Sequence, residues 1–261
     1  MTLTDSTQAP VLYEPSHGVG WITLNRVSVL NALDSPLVAR LAEVTGAAAR
    51  DPSVMAVVVR GAGRAFCSGI DRTALADASI AESFFRNWAA ALNCLEDMPK
   101  ITVGVMHGYS IGGGLQLALA CDLRIATEDA IIELGATRHG LVPDGAVLRL
   151  ARVVGLGRAK ALALLNERVT PAEARAMGLV NYVCPIADCE ALLRDLIEKV
   201  RECSPTATAE TKRLLNGSFE NNPRSLADDL IRAQNVCLQS GEIVEANQAW
   251  TERRKPRFYR S

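Results

Sequence analysis

The chain has 261 residues, 49% of them hydrophobic, so it can bury a large core. Its 28 basic and 29 acidic side chains give a formal net charge of −1, which excludes the strong basic field expected of a protein that binds nucleic acid or an anionic membrane. No apolar run is long enough to span a bilayer, and the seven cysteines, irregularly spaced and without a CxxC pair, indicate reduced thiols in a cytoplasmic protein.

Strands and helices alternate through the first two thirds of the chain. In order, the patterns predict strands at 11–13 and 19–24, a helix at 36–50, a strand at 54–59, a helix at 82–95, a strand at 101–106, a helix at 113–121 and strands at 123–126, 131–134 and 180–183. From residue 145 onward the pattern is mainly helical. This alternation predicts βαβ units and a largely parallel sheet, whose ligands usually lie at the carboxyl ends of the strands.

Two turns of small residues follow two of the predicted buried strands. Residues 108–122 contain three consecutive glycines, Gly112 to Gly114, at the start of an apolar helix, and residues 60–71 end the earlier strand in a similar turn. Glycine lets a ligand approach the backbone closely, and the first amides of a helix have no acceptor within it. Together the turns predict a site for an oxygen that carries or develops negative charge.

The order and spacing of these two turns resemble the crotonase superfamily of acyl-CoA enzymes, which includes the enoyl-CoA hydratases and isomerases. Blocks at 25–34, 170–180 and 253–258 look like the family's early substrate loop, its late helix-turn-strand and its C-terminal tail. The resemblance implies an α/β fold, the crotonase (ClpP-like) spiral of ββα units with a C-terminal helical segment. It also implies an α/β core over 1–190 and a helical trimerisation segment over 191–261, assembled as a homotrimer or as a hexamer made of two trimers.

The same resemblance assigns the backbone amides of Ile70 and Gly113 as the donors of an oxyanion hole. A thioester carbonyl gains negative charge when its α-carbon is deprotonated or when a nucleophile adds to its β-carbon. Two fixed N–H groups stabilise that charge without reorganising. Because the donor is a backbone group, the identity of the side chain at position 70 matters little.

The chain departs from the hydratase pattern at both carboxylate positions. Hydration needs one carboxylate to activate water and a second to deliver a proton. The first family position is Gln116, which can hold a water molecule but cannot take its proton. The second, seven residues before Pro143, is Ala136. The alignment therefore predicts that the two hydratase carboxylates are missing.

Asp144 follows the Gly140-Leu-Val-Pro143 turn, where isomerases of this fold often carry an aspartate. One carboxylate suffices to move a proton between two carbons of a substrate, and burial near apolar residues would raise its pKa toward a useful value. The alternative is a helix cap, because Pro143-Asp144-Gly145 before a helix is a typical capping sequence.

The resemblance also implies a set of contacts to the acyl-CoA substrate. The implied residues are Arg26, Val29, Leu30, Ala32, Ser68, Gly69, Asp71, Arg72, Tyr109, Gly112, Ala136 and Phe258. No separate cofactor is expected, because coenzyme A is part of the substrate, and no metal-ligand spacing occurs among the histidines and cysteines. The early loop lacks the lysine that the family often uses for CoA phosphates, so Arg26, Arg72 or the basic tail would have to replace it.

Three other side chains are weaker candidates for chemistry. Glu133 is expected on a strand, in a solvent or subunit-contact role; His139 is expected to be a hydrogen-bonded structural residue; and Cys67 is expected to be a packing residue. Three functions remain open from the sequence: an enoyl-CoA isomerase that uses Asp144, a hydratase with atypical residues in which Gln116 orders water, and an acyl-CoA-binding protein without catalysis.

Overall fold

The computed structural model describes residues 9–77, 79–219 and 223–259 of the chain. Its strands are β1 (Val11–Ser16), β2 (Val19–Leu24), β3 (Ala56–Gly61), β4 (Ala65–Cys67), β5 (Ile101–Met106), β6 (Tyr109–Ile111), β7 (Leu123–Thr127), β8 (Ile131–Glu133) and β9 (Tyr182–Cys184). Its helices are α1 (Ser35–Arg50), α2 (Arg72–Ala76), α3 (Glu82–Asp97), α4 (Gly113–Leu119), α5 (Val147–Val154), α6 (Leu156–Leu164), α7 (Pro171–Ala176), α8 (Cys189–Arg201), α9 (Pro205–Asn216), α10 (Pro223–Gln239) and α11 (Glu242–Glu252).

Two sheets organise the N-terminal part of the chain. The larger has the order β1-β2-β3-β5-β7-β9, in which only the β1–β2 pair is antiparallel. The smaller has the order β4-β6-β8, and its pairs are parallel. The prediction of a largely parallel sheet is confirmed.

Three neighbouring strands of the large sheet are each followed by a short strand of the small sheet and then by a helix. The unit occurs as β3-β4-α2, as β5-β6-α4 and as β7-β8 followed by α5, and each repeat moves one place along both sheets. The result is the spiral of ββα units that the sequence resemblance implied. The repeat brings the end of every short strand to the same edge of the small sheet, where the two glycine-containing turns lie.

Two of the short strands were missed by the sequence patterns. The strands β4 and β6 have three residues each, too few to show an alternating pattern, whereas the strand predicted at 131–134 is confirmed as β8, Ile131–Glu133. The strand predicted at 54–59 begins and ends two residues later, at Ala56–Gly61, because Val54 and Met55 belong to the turn before it. The remaining strands and helices were predicted to within about four residues.

Apolar side chains cover both faces of the large sheet, as expected for strands that read as continuous hydrophobic runs. On one face, α1, α3 and α4 pack against Val57, Val59 and Met106 in the main core. On the other face, α8 packs its apolar stripe against Val58 and Val103. Among the described residues, no helix is both long and apolar enough to cross a membrane.

A buried lysine joins the C-terminal helices to the core. Lys212, on α9, is 8% exposed, and its Nζ donates to the carbonyls of Leu95 at 3.1 Å and Lys100 at 2.9 Å. The same Nζ lies 2.8 Å from Oδ2 of Asp122, at the end of α4. One ammonium therefore satisfies acceptors from the segments that flank β5.

Replacing this ammonium should destabilise the protein. Lys212→Met removes the cation from Asp122, which keeps only its hydrogen bonds from Thr102, and it removes the donor to two carbonyls. We therefore expect the free energy of unfolding to fall by about 3 kcal/mol. Lys199→Met, at an exposed position of α8, is the matched control and should change it by less than about 0.5 kcal/mol. Urea unfolding at one fixed protein concentration measures both, and equal effects of the two variants would contradict this role for Lys212.

Candidate active site

Two turns at the edge of the small sheet touch each other through their backbones. Gly69 follows β4 and Gly112 follows β6, and both have positive φ angles, +93° and +56°. A Cβ built on Gly69 would lie 3.5 Å from the amide nitrogen of Gly113, and one built on Gly112 would lie 3.5 Å from Cα of Gly69. The backbones of the two turns are thus so close that a single added methyl group would reach from one to the other, and their conformations are ones that glycine adopts without strain.

The amides of Ile70 and Gly113 are free to face a ligand at this contact. Leu33 bridges Ile70 in the parallel sense, donating to the carbonyl of Gly69 at 2.8 Å and accepting from the amide of Asp71 at 2.9 Å. In such a bridge the N–H of Ile70 points to the opposite side. Gly113 is the first residue of α4, so its N–H has no acceptor within the helix.

Both residues line one cavity of about 340 Å³, which the small-sheet turns share with α2, α3 and the segment after β8. The position of the two amides agrees with the sequence assignment of an oxyanion hole. Gly114 behind them admits no side chain, because a Cβ there would overlap the carbonyl oxygen of Cys67. Cys67 itself is fully buried, and burial raises the pKa of its thiol to about 12, so it is a packing residue and not a nucleophile.

Asp144 lines the same cavity, and the structure does not place it as a helix cap. Helix α5 begins at Val147, and its N-cap is Ala146, without a side-chain cap. The capping alternative for Asp144 is therefore wrong. Burial raises the pKa of the Asp144 carboxyl, although its hydrogen bonds to the amides of Gly145 and of Asp144 itself, and the charge of Arg149, oppose that shift.

Gln116 is buried at the floor of the cavity, and its amide oxygen is already engaged. That oxygen accepts from the amide of Gly145 at 2.8 Å and from Nε1 of Trp88 at 3.4 Å. With two donors on it, the oxygen has filled both of its lone pairs. The amide nitrogen of Gln116 is then the group that could still hold a water molecule, so the expectation that Gln116 orders water stays a prediction.

Glu133 and Ala136 also line the cavity, but neither offers a free carboxylate. Ala136 has no ionisable group, as the sequence showed. The buried carboxylate of Glu133 receives Arg138 on Oε1 at 2.8 Å and Arg168 on Oε2 at 3.1 Å. Both oxygens of Glu133 are therefore in ion pairs, and its burial corrects the expected solvent role, while the subunit contact stays a prediction. Asp144 is left as the unpaired carboxylate among the residues that line the cavity.

The predicted substrate residues divide into those that line this cavity and those that do not. The ones that line it are Ser68, Gly69, Arg72, Gly112 and Ala136. The ones outside it are Arg26, Val29, Leu30, Ala32, Asp71, Tyr109 and Phe258. Within the described part of the chain, no group of three or more possible metal ligands is present.

Arg26 and Asp71 are structural residues in this protein. The Arg26 guanidinium lies 3.0 Å from Asp34, 3.0 Å from Asp71 and 2.5 Å from the carbonyl of Ala32. Asp71 accepts from Thr73 and caps the start of α2, and its pKa is lowered by these donors even though burial opposes the shift. The guanidinium of Arg26 is thus committed to ion pairs, which argues against its predicted role at CoA phosphates.

Other predicted contacts lie beside the cavity or at a distance from it. Leu30 accepts from the amide of Ser68 at 3.0 Å, and Val29 accepts from its hydroxyl at 3.5 Å, so this loop borders the cavity mouth without lining it. Tyr109 begins β6 and is partly exposed, while Phe258 lines a separate hollow with Arg257. A contact from Phe258 to a neighbouring subunit stays a prediction.

Several cavity residues were missed by sequence reasoning. Phe84, Phe85 and Trp88 reach the cavity from α3, whose amphipathic pattern signals only packing. His139 was expected to be a hydrogen-bonded structural residue, but it is exposed and lines the cavity. The sequence did offer one sign that His139 lines the cavity: it lies three residues after Ala136 and directly before Gly140.

Comparison with known proteins agrees with this geometry. A family model described as Enoyl-CoA hydratase/isomerase matches residues 14–261. A probable enoyl-CoA hydratase of Mycobacterium bovis is 32% identical over 259 residues, which cover 97% of this chain and 98% of that protein. A peroxisomal Delta(3,5)-Delta(2,4)-dienoyl-CoA isomerase of Arabidopsis thaliana is 30% identical over 253 residues, 91% of each chain.

Solved structures give the same result for the fold. An enoyl-CoA hydratase/isomerase from Marinobacter aquaeolei matches with a TM-score of 0.88 at 30% identity, over 95% of this chain and 98% of that one. An enoyl-CoA hydratase from Mycobacterium smegmatis matches with a TM-score of 0.89 at 27% identity, over 96% and 99%. The fold class that the sequence implied is confirmed.

The two arginines beside the cavity should respond differently to substitution. Arg26→Gln removes a guanidinium held by two carboxylates, so we expect the free energy of unfolding to fall by about 2 kcal/mol. Arg72→Gln is the matched control, because Arg72 is exposed and within the described residues no carboxylate lies at ion-pair distance from it. Its effect should stay within about 0.5 kcal/mol. Denaturant unfolding of both variants tests the structural assignment of Arg26, and similar losses would contradict it.

Proposed function

Because the chain belongs to the enoyl-CoA hydratase/isomerase family, we propose that it moves the double bond of an enoyl-CoA thioester. In this proposal, Asp144 transfers the proton, and the amides of Ile70 and Gly113 stabilise the enolate oxygen. The observation that carries the proposal is the single unpaired carboxylate of the cavity: Asp144 faces the space next to the two amides, while Glu133 is held by two arginines.

The chemistry requires one base and one oxyanion site. The Asp144 carboxylate removes a proton from the α-carbon of a 3-enoyl thioester, and the electron pair of the broken C–H bond passes into a dienolate. Its oxygen accepts hydrogen bonds from Ile70 and Gly113, which stabilise a charge that the ground state lacks. The carboxylic acid then returns the same proton to the γ-carbon, which leaves a 2-enoyl thioester and restores the carboxylate.

Burial of Asp144 supports this role. A base that must both take and return a proton works best when its pKa lies closer to neutrality than that of a solvated aspartate. The half-buried position of Asp144 raises its pKa in that direction.

An atypical hydratase is the second candidate, and an acyl-CoA-binding protein without catalysis is the third. A hydratase needs a group that takes a proton from water, and the Gln116 oxygen is already occupied by two donors. The contacts of Gln116 therefore favour isomerisation over hydration. The binding reading keeps the cavity and the two amides but gives no role to the raised pKa of Asp144.

For the CoA part of the substrate we propose Ser68 and Arg72 at the mouth of the cavity. Arg72 is an exposed cation, so it can meet an anionic phosphate without losing an existing ion pair. Ser68 lies at the end of β4, beside the loop that contains Val29 and Leu30. In this proposal no cofactor beyond the CoA of the substrate takes part.

We also propose that the protein is a cytoplasmic homotrimer or hexamer with a core over 1–190 and a trimerisation segment over 191–261. Large apolar side chains that a monomer exposes support an assembly: Leu148, Leu156, Leu164, Ile231, Val244 and Trp250 are among them. The cysteines are all free thiols, four of them buried, which is consistent with a reducing compartment.

Asp144→Asn is the central test of the reaction. It keeps the size of the side chain but cannot accept the proton, so we expect kcat on a 3-enoyl-CoA to fall by at least about 100-fold. The Kd for a saturated acyl-CoA of equal chain length should change by less than about threefold. Asp97→Asn is the matched control, because Asp97 is an exposed carboxylate outside this cavity.

Products are separated by mass and retention time after incubation with 2-enoyl-, 3-enoyl- and 2,5-dienoyl-CoA.

The outcomes separate the three candidate functions. Product of unchanged mass that disappears in Asp144→Asn supports the isomerase. A product heavier by one water would replace it with the hydratase. Tight binding without conversion of any thioester would favour the acyl-CoA-binding protein.

The raised pKa of Asp144 predicts a pH dependence. The base form is lost as the pH falls through the folded-state pKa, so the acidic limb of kcat/KM should lie above 3.8, the ordinary pKa of an aspartate. Ionising a group whose folded pKa is raised costs stability, so wild type should gain stability relative to Asp144→Asn as the pH falls through that pKa. Thermal unfolding across the same pH range checks the second effect, and a limb at or below 3.8 would contradict the burial argument.

A further inference from the structure

Asp144 lies where two cavities meet. Besides the cavity that contains the two turn amides, a second one of about 790 Å³ lies between α3, the start of α5 and the end of α9. Trp88 and Asp144 line both. Because the segment that bears Asp144 borders a cavity on each side, few atoms pack against it. Fixed contacts are needed to hold the carboxylate toward the proposed substrate site.

Gly145, the residue that follows Asp144, is held at both of its backbone polar groups. The amide of Gly145 donates to Oε1 of Gln116 on α4 at 2.8 Å. The carbonyl of Gly145 accepts from Nη1 of Arg149 on α5 at 3.1 Å. Gly145 is therefore tied to the helix behind the oxyanion hole on one side and to its own helix on the other.

The Gln116 contact is close and admits no change at Gly145. A Cβ on Gly145 would lie 2.7 Å from Oε1 of Gln116 and would overlap Cδ1 of Leu92. The glycine therefore lets the chain pass between α3 and α4 at hydrogen-bonding distance. Gln116 is 5% exposed and is fixed in turn by Trp88, so its oxygen is a rigid acceptor.

The guanidinium of Arg149 binds the Gly145 carbonyl and two side chains of α3 at the same time. Its Nε donates to Oε2 of Glu96 at 2.7 Å, and its Nη2 donates to Oδ1 of Asn93 at 2.7 Å, both on α3. The side chain is only 13% exposed. With each of its three nitrogens bonded, the guanidinium fixes the Gly145 carbonyl relative to α3.

We propose that Gln116 and Arg149 are positioning residues for Asp144. Gln116 holds the backbone N–H of the adjacent Gly145 and Arg149 holds its carbonyl, and together they keep the Asp144 carboxylate beside the proposed oxyanion hole. This inference rests on the proposed function of Asp144 as the proton carrier. It gives a role to Gln116, which stands where the hydratase pattern has the first of its two carboxylates. Gln116 anchors the segment that bears the base and does not contact a reacting water.

A neutral anchor has an electrostatic advantage at this position. A glutamate could accept the same two hydrogen bonds, but its negative charge would disfavour ionisation of the neighbouring carboxyl. The ionisable groups that line the two cavities around Asp144 are Arg72, Glu133, His139, Glu96, Asp97, Arg149, Arg152 and Arg213. Of these, Arg149 is the one whose charge lowers the pKa of Asp144.

Four variants test the two contacts separately. Gln116→Leu removes the acceptor, so kcat on a 3-enoyl-CoA should fall by at least about tenfold with KM within about threefold. Gln116→Glu keeps an acceptor, so its maximal kcat should lie within about threefold of wild type, with the acidic limb of the kcat/KM profile at higher pH.

Arg149→Met removes both the hydrogen bonds of the guanidinium and its charge. It should lower kcat and move the acidic limb of the kcat/KM profile to higher pH. Arg149→Lys keeps the charge, so it should lower kcat while the limb stays in place.

Arg152→Met is the matched control. Arg152 lies on the same helix and pairs with the same Glu96, at 3.5 Å. Its kcat and its acidic limb should match wild type. Circular dichroism and thermal unfolding confirm that each variant is folded, and Arg149→Lys serves in place of any Gln116 variant that is not.

The results decide the inference independently of the proposed reaction. Equal losses in Gln116→Leu and Gln116→Glu, or an unchanged kcat in Gln116→Leu, would overturn it. If wild type converts no enoyl-CoA, the proposed function fails, and carbon-13 NMR titration of the Asp144 carboxyl takes over as the readout. A shift of that titration to higher pH in Arg149→Met but not in Arg152→Met then supports the contact, and identical titrations would overturn it.

Discussion

The close contact between the backbones of Gly69 and Gly112 is the constraint on which the site depends. It requires two short parallel strands that end side by side, and both strands require a preceding long strand to deliver them there. Any side chain at either glycine would push the turns apart or fill the space between the two amides. The spiral of ββα units can therefore be understood as the arrangement that brings two such turns together at van der Waals distance.

Much of the fold could be predicted from the sequence, because buried parallel strands are continuous apolar runs and the helices carry clear apolar stripes. The three-residue strands β4 and β6 could not, since so short a segment has no measurable period and is stabilised by its neighbours. Of the site, the two amide donors and Asp144 were predictable, because motif and spacing locate them. The ion pairs of Arg26 and Glu133 were not, because their partners lie up to 45 residues away along the chain.

Gln116 shows the limit most clearly. Its sequence position indicated a polar side chain in the cavity, and the hydratase pattern suggested a water ligand. What decides its role is an amide 29 residues further along the chain, which approaches only because Gly145 lacks a Cβ. Sequence reasoning can identify the residue types of a site, but the direction in which an amide oxygen points depends on tertiary contacts that leave no local pattern.

The use of main-chain donors has a consequence for how this protein can evolve. If the proposed oxyanion site consists of two backbone amides, no particular side chain is needed for it, so mutation of the surrounding residues leaves both amides in place as long as the glycines remain. The reaction, in contrast, depends on the side chains that surround that site. Glu133 already lies in the cavity wall, masked by two arginines on the protein surface. Substitution of those two arginines would leave Glu133 as a second carboxylate without a cation in the cavity wall. A few substitutions could therefore change which groups of this cavity transfer protons.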